Sequence, residues 1–316
     1  MILIGCGQSP EPQFRINSVE YLKQEGLQLA DGEKFDPQYR RQIDTMLTAL
    51  FGTPDQPRFP YFIGDEEELS EVVSNENLLM AAGPVSSGRD GEPRGLYREH
   101  CAHCHGISGD GAGPTAGFLN PYPRDFRLGK FKFKSTRLGR PPTDHDLEEI
   151  IRNGIPGTAM PSFRTLTEQE LAALIDYVKY LTIRGQYERR LIAAIGELDA
   201  DEPLYDLELT NDPEAVDPEA DLEEFQDQMY FLISDFLIDE AILERWFDTE
   251  DSVTSVPPAP PATSSLHADH RAFVARGQQL FQGKANCVQC HGDTGMPETK
   301  KRCHENPIRQ YFLICL

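Results

Sequence analysis

Two short runs constrain this chain more than any other feature: Cys101-Ala102-His103-Cys104-His105 and Cys287-Val288-Gln289-Cys290-His291. Each holds two cysteines separated by two residues, with a histidine directly after the pair. This spacing lets both sulfurs form thioethers with the two vinyl groups of one porphyrin while the adjacent imidazole turns toward the iron, so it points to covalently attached haem. A thioredoxin-like redox pair needs a βαβ context, which is missing around both runs. Zinc would require the two pairs to converge in a closed tetrahedral site, and 186 residues separate Cys101 from Cys287. Cys101, Cys104, Cys287 and Cys290 are therefore the expected haem-attachment residues, with His105 and His291 as iron ligands and haem c as the cofactor.

The stretch around the first run reads as a helical block from about Gly95 to Arg184. Thr143 followed by Asp146 forms a capping signature ahead of Leu147, Ile150 and Ile151, and Gly154 stands where that helix should stop. Thr167 with Glu170 opens a second helix carrying Leu171, Leu174, Ile175, Val178 and Leu181. Met160 lies between the two, in a loop rich in glycine and proline. A soft thioether opposite a histidine favours ferrous iron and raises its potential, which suits an electron carrier.

This block resembles the class I cytochrome c domain. The residues that carry the resemblance are Cys101 to Gly106, Gly109-Asp110-Gly111-Ala112-Gly113-Pro114, Pro123-Arg124-Asp125-Phe126, Gly157-Thr158-Ala159-Met160-Pro161-Ser162-Phe163, and the closing helix with Tyr177 and Tyr180. The resemblance implies His105 as proximal ligand and Met160 as distal ligand. It also implies that Pro114 offers its carbonyl to the Nδ1 proton of His105. The expected fold class is mainly α: a helical cytochrome c domain around a covalent haem, helical N-terminal and acidic regions, and a partial second cytochrome c domain.

Six regions follow. Residues 1–12 read as a remnant of a lipoprotein signal and a tether, with Cys6 after Leu3-Ile4-Gly5 as the lipid-bearing residue; the basic and apolar parts of such a signal are missing, as if the start codon lay too far downstream. Residues 13–85 form a helical and loop region, with Ile43, Met46, Leu47, Leu50 and Phe51 at helical spacing before Gly52-Thr53-Pro54. Residues 92–185 are the first cytochrome domain. Residues 186–251 form an acidic helical insert, with one helix over Leu191, Ile192 and Ile195 and another from about Ala220 to Phe247. Residues 252–267 are a Pro- and Ser-rich linker. Residues 268–316 are the partial second domain, in which only 25 residues follow His291, against the 55 that separate His105 from Met160. There the sixth iron position falls to Met296, His304 or water, and the residues after Gly295 read as a shifted frame or damaged gene end.

Charge narrows the partners. The net charge is −22 over 316 residues, which argues against nucleic acid, because phosphate binding needs a basic footprint. The excess is local: residues 186–251 hold 22 acidic side chains against Arg189, Arg190 and Arg245, leaving the rest nearly neutral. A basic loop with Arg124, Arg127, Lys130, Lys132, Lys134, Arg137 and Arg140 could meet haem propionates, an acidic redox partner or the chain's own acidic segment. The expected function is single-electron transfer between respiratory partners on the periplasmic side of a bacterial membrane, anchored by lipid. A dihaem peroxidase and a cytochrome subunit of a larger dehydrogenase or oxidase are the other readings.

Overall fold

Thr167 opens the longest helix. Its hydroxyl accepts from the Glu170 amide while the Glu170 carboxylate accepts from the Thr167 amide, a reciprocal cap. In the computed structural model that helix runs unbroken from Glu168 to Ile195, 28 residues or about 42 Å. The sequence pattern places a domain boundary at 185/186 and begins a separate helix beyond it. The structure continues the same helix, because the apolar spacing of Leu171, Leu174, Val178 and Leu181 carries on through Leu191, Ile192 and Ile195 with no proline between them. Gly185, the one candidate breaker, stays helical and serves close packing. A Cβ there would lie 2.4 Å from the Arg127 Cα.

The structure describes residues 11–29, 33–87, 93–198, 202–210, 217–238, 242–247, 249–255 and 268–283. Its helices are α1 (Ser18–Gln28), α2 (Pro37–Phe51), α3 (Glu66–Val72), α4 (Asn75–Ala81), α5 (Leu96–His100), α6 (Ala102–His105), α7 (Asp144–Asn153), α8 (Glu168–Ile195), α9 (Pro218–Ile233), α10 (Glu244–Phe247) and α11 (Ala268–Gln282). Two isolated β-bridges, Gly52 with Pro57 and Thr136 with Val253, are the extent of β pairing among the described residues, so the fold is mainly α. The chain divides into two units, Met1–Thr254 and Ser255–Leu316.

In the first unit α8 is the central element, and α1, α2, α4, α5 and α7 all pack against it. It is buried nearly all round from Leu171 to Ile195, which is the position a helix with apolar residues on every side should take. Region 13–85, the cytochrome block and the acidic region contribute side chains to one continuous core, from Phe14 and Phe51 through Leu174 and Tyr180 to Leu237 and Trp246. Polar anchors join them. Tyr180 donates to the Phe51 carbonyl at 2.6 Å, Tyr187 to that of Leu232 at 3.2 Å, and Arg98 pairs with Asp55. The N-terminal strand of chain crosses the haem-motif region, with the Arg15 amide donating to Ser108 Oγ at 2.8 Å and the Arg184 guanidinium 4.3 Å above the Phe14 ring.

The acidic region holds a second correction. In place of one helix from Ala220 to Phe247 there is α9, a π-helical turn over Ser234–Ile238, and the short α10. The physical reason lies in the apolar spacing. Leu232 and Leu237, five residues apart, are both buried, and a wider i→i+5 turn keeps them on one face where a 3.6-residue period would part them. Residues 252–254, assigned to the linker by composition, are pinned to the basic loop: Arg137 donates its amide to Ser252 at 2.9 Å and Thr254 to Ser135 at 2.9 Å. In the second unit, α11 exposes Phe273, Val274 and Leu280. Cys6, Cys287, Cys290, His291, Met296, Cys303, His304 and Cys315 lie outside the described residues.

The tight approach at Gly185 gives a test with opposed signs. On helix propensity alone, Gly185→Ala would stabilise by about 1 kcal/mol, whereas overpacking against Arg127 costs about 1–3 kcal/mol. Thermal unfolding of this variant is expected to show net destabilisation, and a raised Tm would contradict the packing.

Candidate haem site

The attachment turn begins at Gly95, whose φ of +70° and amide hydrogen bond, donated to the Ala82 carbonyl at 2.7 Å, turn the chain into α5. A side chain there would strike the Pro84 backbone. Helix α5 ends at His100, Cys101 is the hinge, and α6 carries Ala102 to His105. Buried Tyr97 donates to the Gly106 carbonyl at 2.9 Å and so ties the two ends of the turn together. Cys101 and Cys104 are both free thiols and both partly exposed. Burial against the core, with Cys104 acting in the same direction, pushes the Cys101 thiol up to about 12, so the free side chain stays protonated at neutral pH. His103 between them is exposed.

His105 is held by one hydrogen bond and one ring. Its Nδ1 lies 3.0 Å from the Arg124 carbonyl, and the Phe126 ring stacks on the imidazole at 4.6 Å with 18° between planes. The carbonyl expected from Pro114 is thus supplied by Arg124 instead. Pro114 is exposed in a loop that the amides of Gly113 and Thr115 tie to the carbonyls of Cys104 and His103, whereas the Phe126 amide bonds Gly109 at 2.8 Å and brings 124–126 against the imidazole. Glycine is required on that path. Gly111 has φ +70°, and a Cβ there would sit 2.6 Å from the Pro123 carbonyl. Burial, opposed by the bond to Arg124, holds the His105 imidazole below its ordinary value. The ring is then neutral at pH 7, and a carbonyl partner obliges Nδ1 to donate. The lone pair is left on Nε2, as metal ligation needs.

Met160 sits in a loop built to hold it still. Its amide donates to Thr158 Oγ1 at 3.1 Å and its carbonyl accepts from Ile155 at 3.2 Å. Gly154 and Gly157 turn the loop with φ +68° and +80°. Met160 and Cys101 both pack, half-buried, against the shared core. The loop closes back on the attachment helices where Phe163 meets His100, ring centroids 5.8 Å apart.

The basic loop is less free than its composition implies. Arg127 is 7% exposed and turned inward, with its backbone amide and Nε on Asp125 Oδ1 and its Nη2 on Oδ2, all at 2.9–3.0 Å. Lys134 donates to the carbonyls of Thr136 and Arg137. Lys130, Lys132 and Arg137 remain exposed, beside exposed Phe133 and Leu138.

Two free sulfurs, an imidazole with Nε2 available and a thioether held in a rigid loop form a donor set that suits iron porphyrin attached through its vinyl groups. These features define a helical, haem-binding electron-transfer domain. Residues 88–178 match the family model for cytochrome c oxidase, cbb3-type, subunit III. Cytochrome c55X of Paracoccus denitrificans is 34% identical over 98 residues, covering 31% of this chain and 79% of that protein. The chain belongs to the c-type cytochromes, and this membership carries covalently bound haem c, electron transfer and redox protein partners with it. A chain of the Kuenenia stuttgartiensis reducing HAO-like protein complex is 23% identical with a TM-score of 0.33, over 67% of this chain and 65% of that one.

Sequence reading missed the Asp125–Arg127 clamp and the role of the Arg124 carbonyl, although Pro123-Arg124-Asp125-Phe126 was a visible signal. Truncating Phe126 tests that turn. Phe126→Ala should cost about 3–5 kcal/mol, measured by denaturant unfolding, and should loosen His105. A loss below about 1 kcal/mol would show that the ring contributes no packing there.

Proposed function

We propose that this protein is a single-electron carrier in which Cys101 and Cys104 hold one haem c and His105 and Met160 bind its iron. When bound, the haem supplies a one-electron ferric/ferrous couple. The chain's own residues do the rest: His105 gives Nε2 because Nδ1 is committed to Arg124, Phe126 fixes the ring plane, and the Thr158 hydroxyl keeps the Met160 loop from drifting. That commitment of Nδ1, at 3.0 Å, is the observation that carries the reading. Saturated, low-mobility ligation keeps reorganisation small and favours transfer over substrate chemistry.

The wider setting belongs to the same proposal. A second haem on Cys287 and Cys290, with His291 as ligand, rests on the repeated motif. Cys6 carries the lipid, and the protein works on the periplasmic side of a bacterial membrane between respiratory partners. No helix among the described residues is long and apolar enough to cross a membrane, and the lipid would supply the anchor. Exposed Lys130, Lys132 and Arg137 offer a basic edge to an acidic partner, and such encounters weaken as salt rises.

Optical spectroscopy of the oxidised holoprotein tests the central ligation. A low-spin spectrum with the Met-to-iron charge-transfer band is expected, and Met160→Ala should abolish the band and lower the potential. A high-spin wild-type spectrum with peroxide turnover would overturn the carrier reading in favour of a peroxidase. Haem counting by intact mass is expected to give two per chain and one after Cys287→Ser with Cys290→Ser.

A further inference from the structure

Glu188 lies in the middle of α8 with 0% exposure, far too buried for a carboxylate without a purpose or a full set of partners. Its partners are incomplete. Oε1 accepts the Asn17 amide at 2.8 Å, while Oε2 has no hydrogen bond and stands 3.7 Å from Arg184 Nη1. Arg184 is itself 3% exposed, and its Nε also lacks a hydrogen-bond partner. A buried ion pair this loosely made does little for stability.

The carboxyl faces charges from each element around it: Arg184 on α8, the Asn17 amide on the N-terminal strand of chain, and Arg127 and Asp125 on the turn that follows Arg124. That turn packs on α8, with Gly185 directly against Arg127. Arg127 is clamped to Asp125, and Asp125 sits between the carbonyl that orients His105 and the ring that stacks on it. Glu188 thus lies on the helix that receives the 124–127 turn, and its carboxyl feels the charges that the turn carries beside the proximal histidine.

We propose that Glu188 tunes the haem couple: buried on the helix against which the 124–127 turn beside His105 packs, its charge sets the balance between ferric and ferrous iron. The inference rests on the reading of His105 as iron ligand. A buried negative charge favours the ferric form, because field strength grows as the dielectric falls. With haem bound and a reduced redox partner as electron donor, the Glu188 carboxyl would hold its proton more firmly beside ferrous than beside ferric iron, so reduction would be accompanied by proton uptake from solvent and oxidation by its release. Burial, opposed by Arg184, raises the Glu188 carboxyl above its ordinary value. Its proton is therefore gained at a higher pH than for an exposed glutamate, and the potential rises as pH falls through that range.

Spectroelectrochemical titration of the full-length holoprotein between pH 5 and 8 tests this. At a fixed applied potential at pH 8, Glu188→Gln is expected to shift the ferrous-to-ferric ratio upward by roughly fivefold and to flatten the pH dependence that the wild type shows. Arg184→Met, which removes the counter-charge and keeps an apolar contact for Phe14, is expected to shift the ratio the other way. Haem content and helical circular dichroism establish that each variant is folded. Folded variants whose ratios overlay the wild type at every pH would overturn the inference while leaving the carrier reading intact. Should Glu188→Gln not fold, Arg184→Met and the wild-type pH profile decide, a flat wild-type profile with an unmoved Arg184→Met ratio overturning it. A wild type without covalent haem would instead overturn the carrier reading itself.

Discussion

One hydrogen bond, from His105 Nδ1 to the Arg124 carbonyl at 3.0 Å, decides what the attachment turn can do. Two cysteines and a histidine in sequence supply donors, but only a fixed tautomer makes the imidazole a ligand with a defined face. The bond in turn depends on the path of residues 106–126, which needs positive φ at Gly106, Gly109 and Gly111. That path depends on α8, against which the Phe126–Leu128 turn packs. The chain of causes runs from the Thr167 cap, through a helix buried along most of its length, to a single carbonyl oxygen.

The helical grammar was legible from sequence, since caps and apolar periodicity act locally. Thr143 with Asp146 and Thr167 with Glu170 both form the reciprocal caps that their spacing implies. The limits were non-local. Nothing within five residues of Gly185 reveals that Arg127 presses against it, so the pattern divides one helix between two regions at 185/186. Likewise the π turn at Ser234–Ile238 follows from which leucines must be buried together, a demand set by the rest of the core.

At the site, residue types were legible and partners were not. Cys101, Cys104, His105 and Met160 stand out because haem attachment and soft ligation need those atoms. The acceptor for His105 Nδ1 is Arg124 and not Pro114, a difference invisible in the sequence because a backbone carbonyl leaves no trace in a side-chain pattern. Arg127 read as part of a basic surface, yet it is buried on Asp125. Charge counting cannot separate a solvated cation from one spent on an internal pair. The acidic region shows the same thing in reverse, because a segment so rich in carboxylates places Leu191, Leu204, Leu232, Leu237, Leu243 and Trp246 in the common core.

The central claim is that this turn holds haem covalently. Its most direct test is peptide mass spectrometry of the protein made in cells with haem-attachment machinery. The account expects the peptide containing Cys101-Ala102-His103-Cys104-His105 to carry the added mass of one haem through two thioether bonds. Recovery of that peptide unmodified, with both thiols free to alkylate, would contradict it.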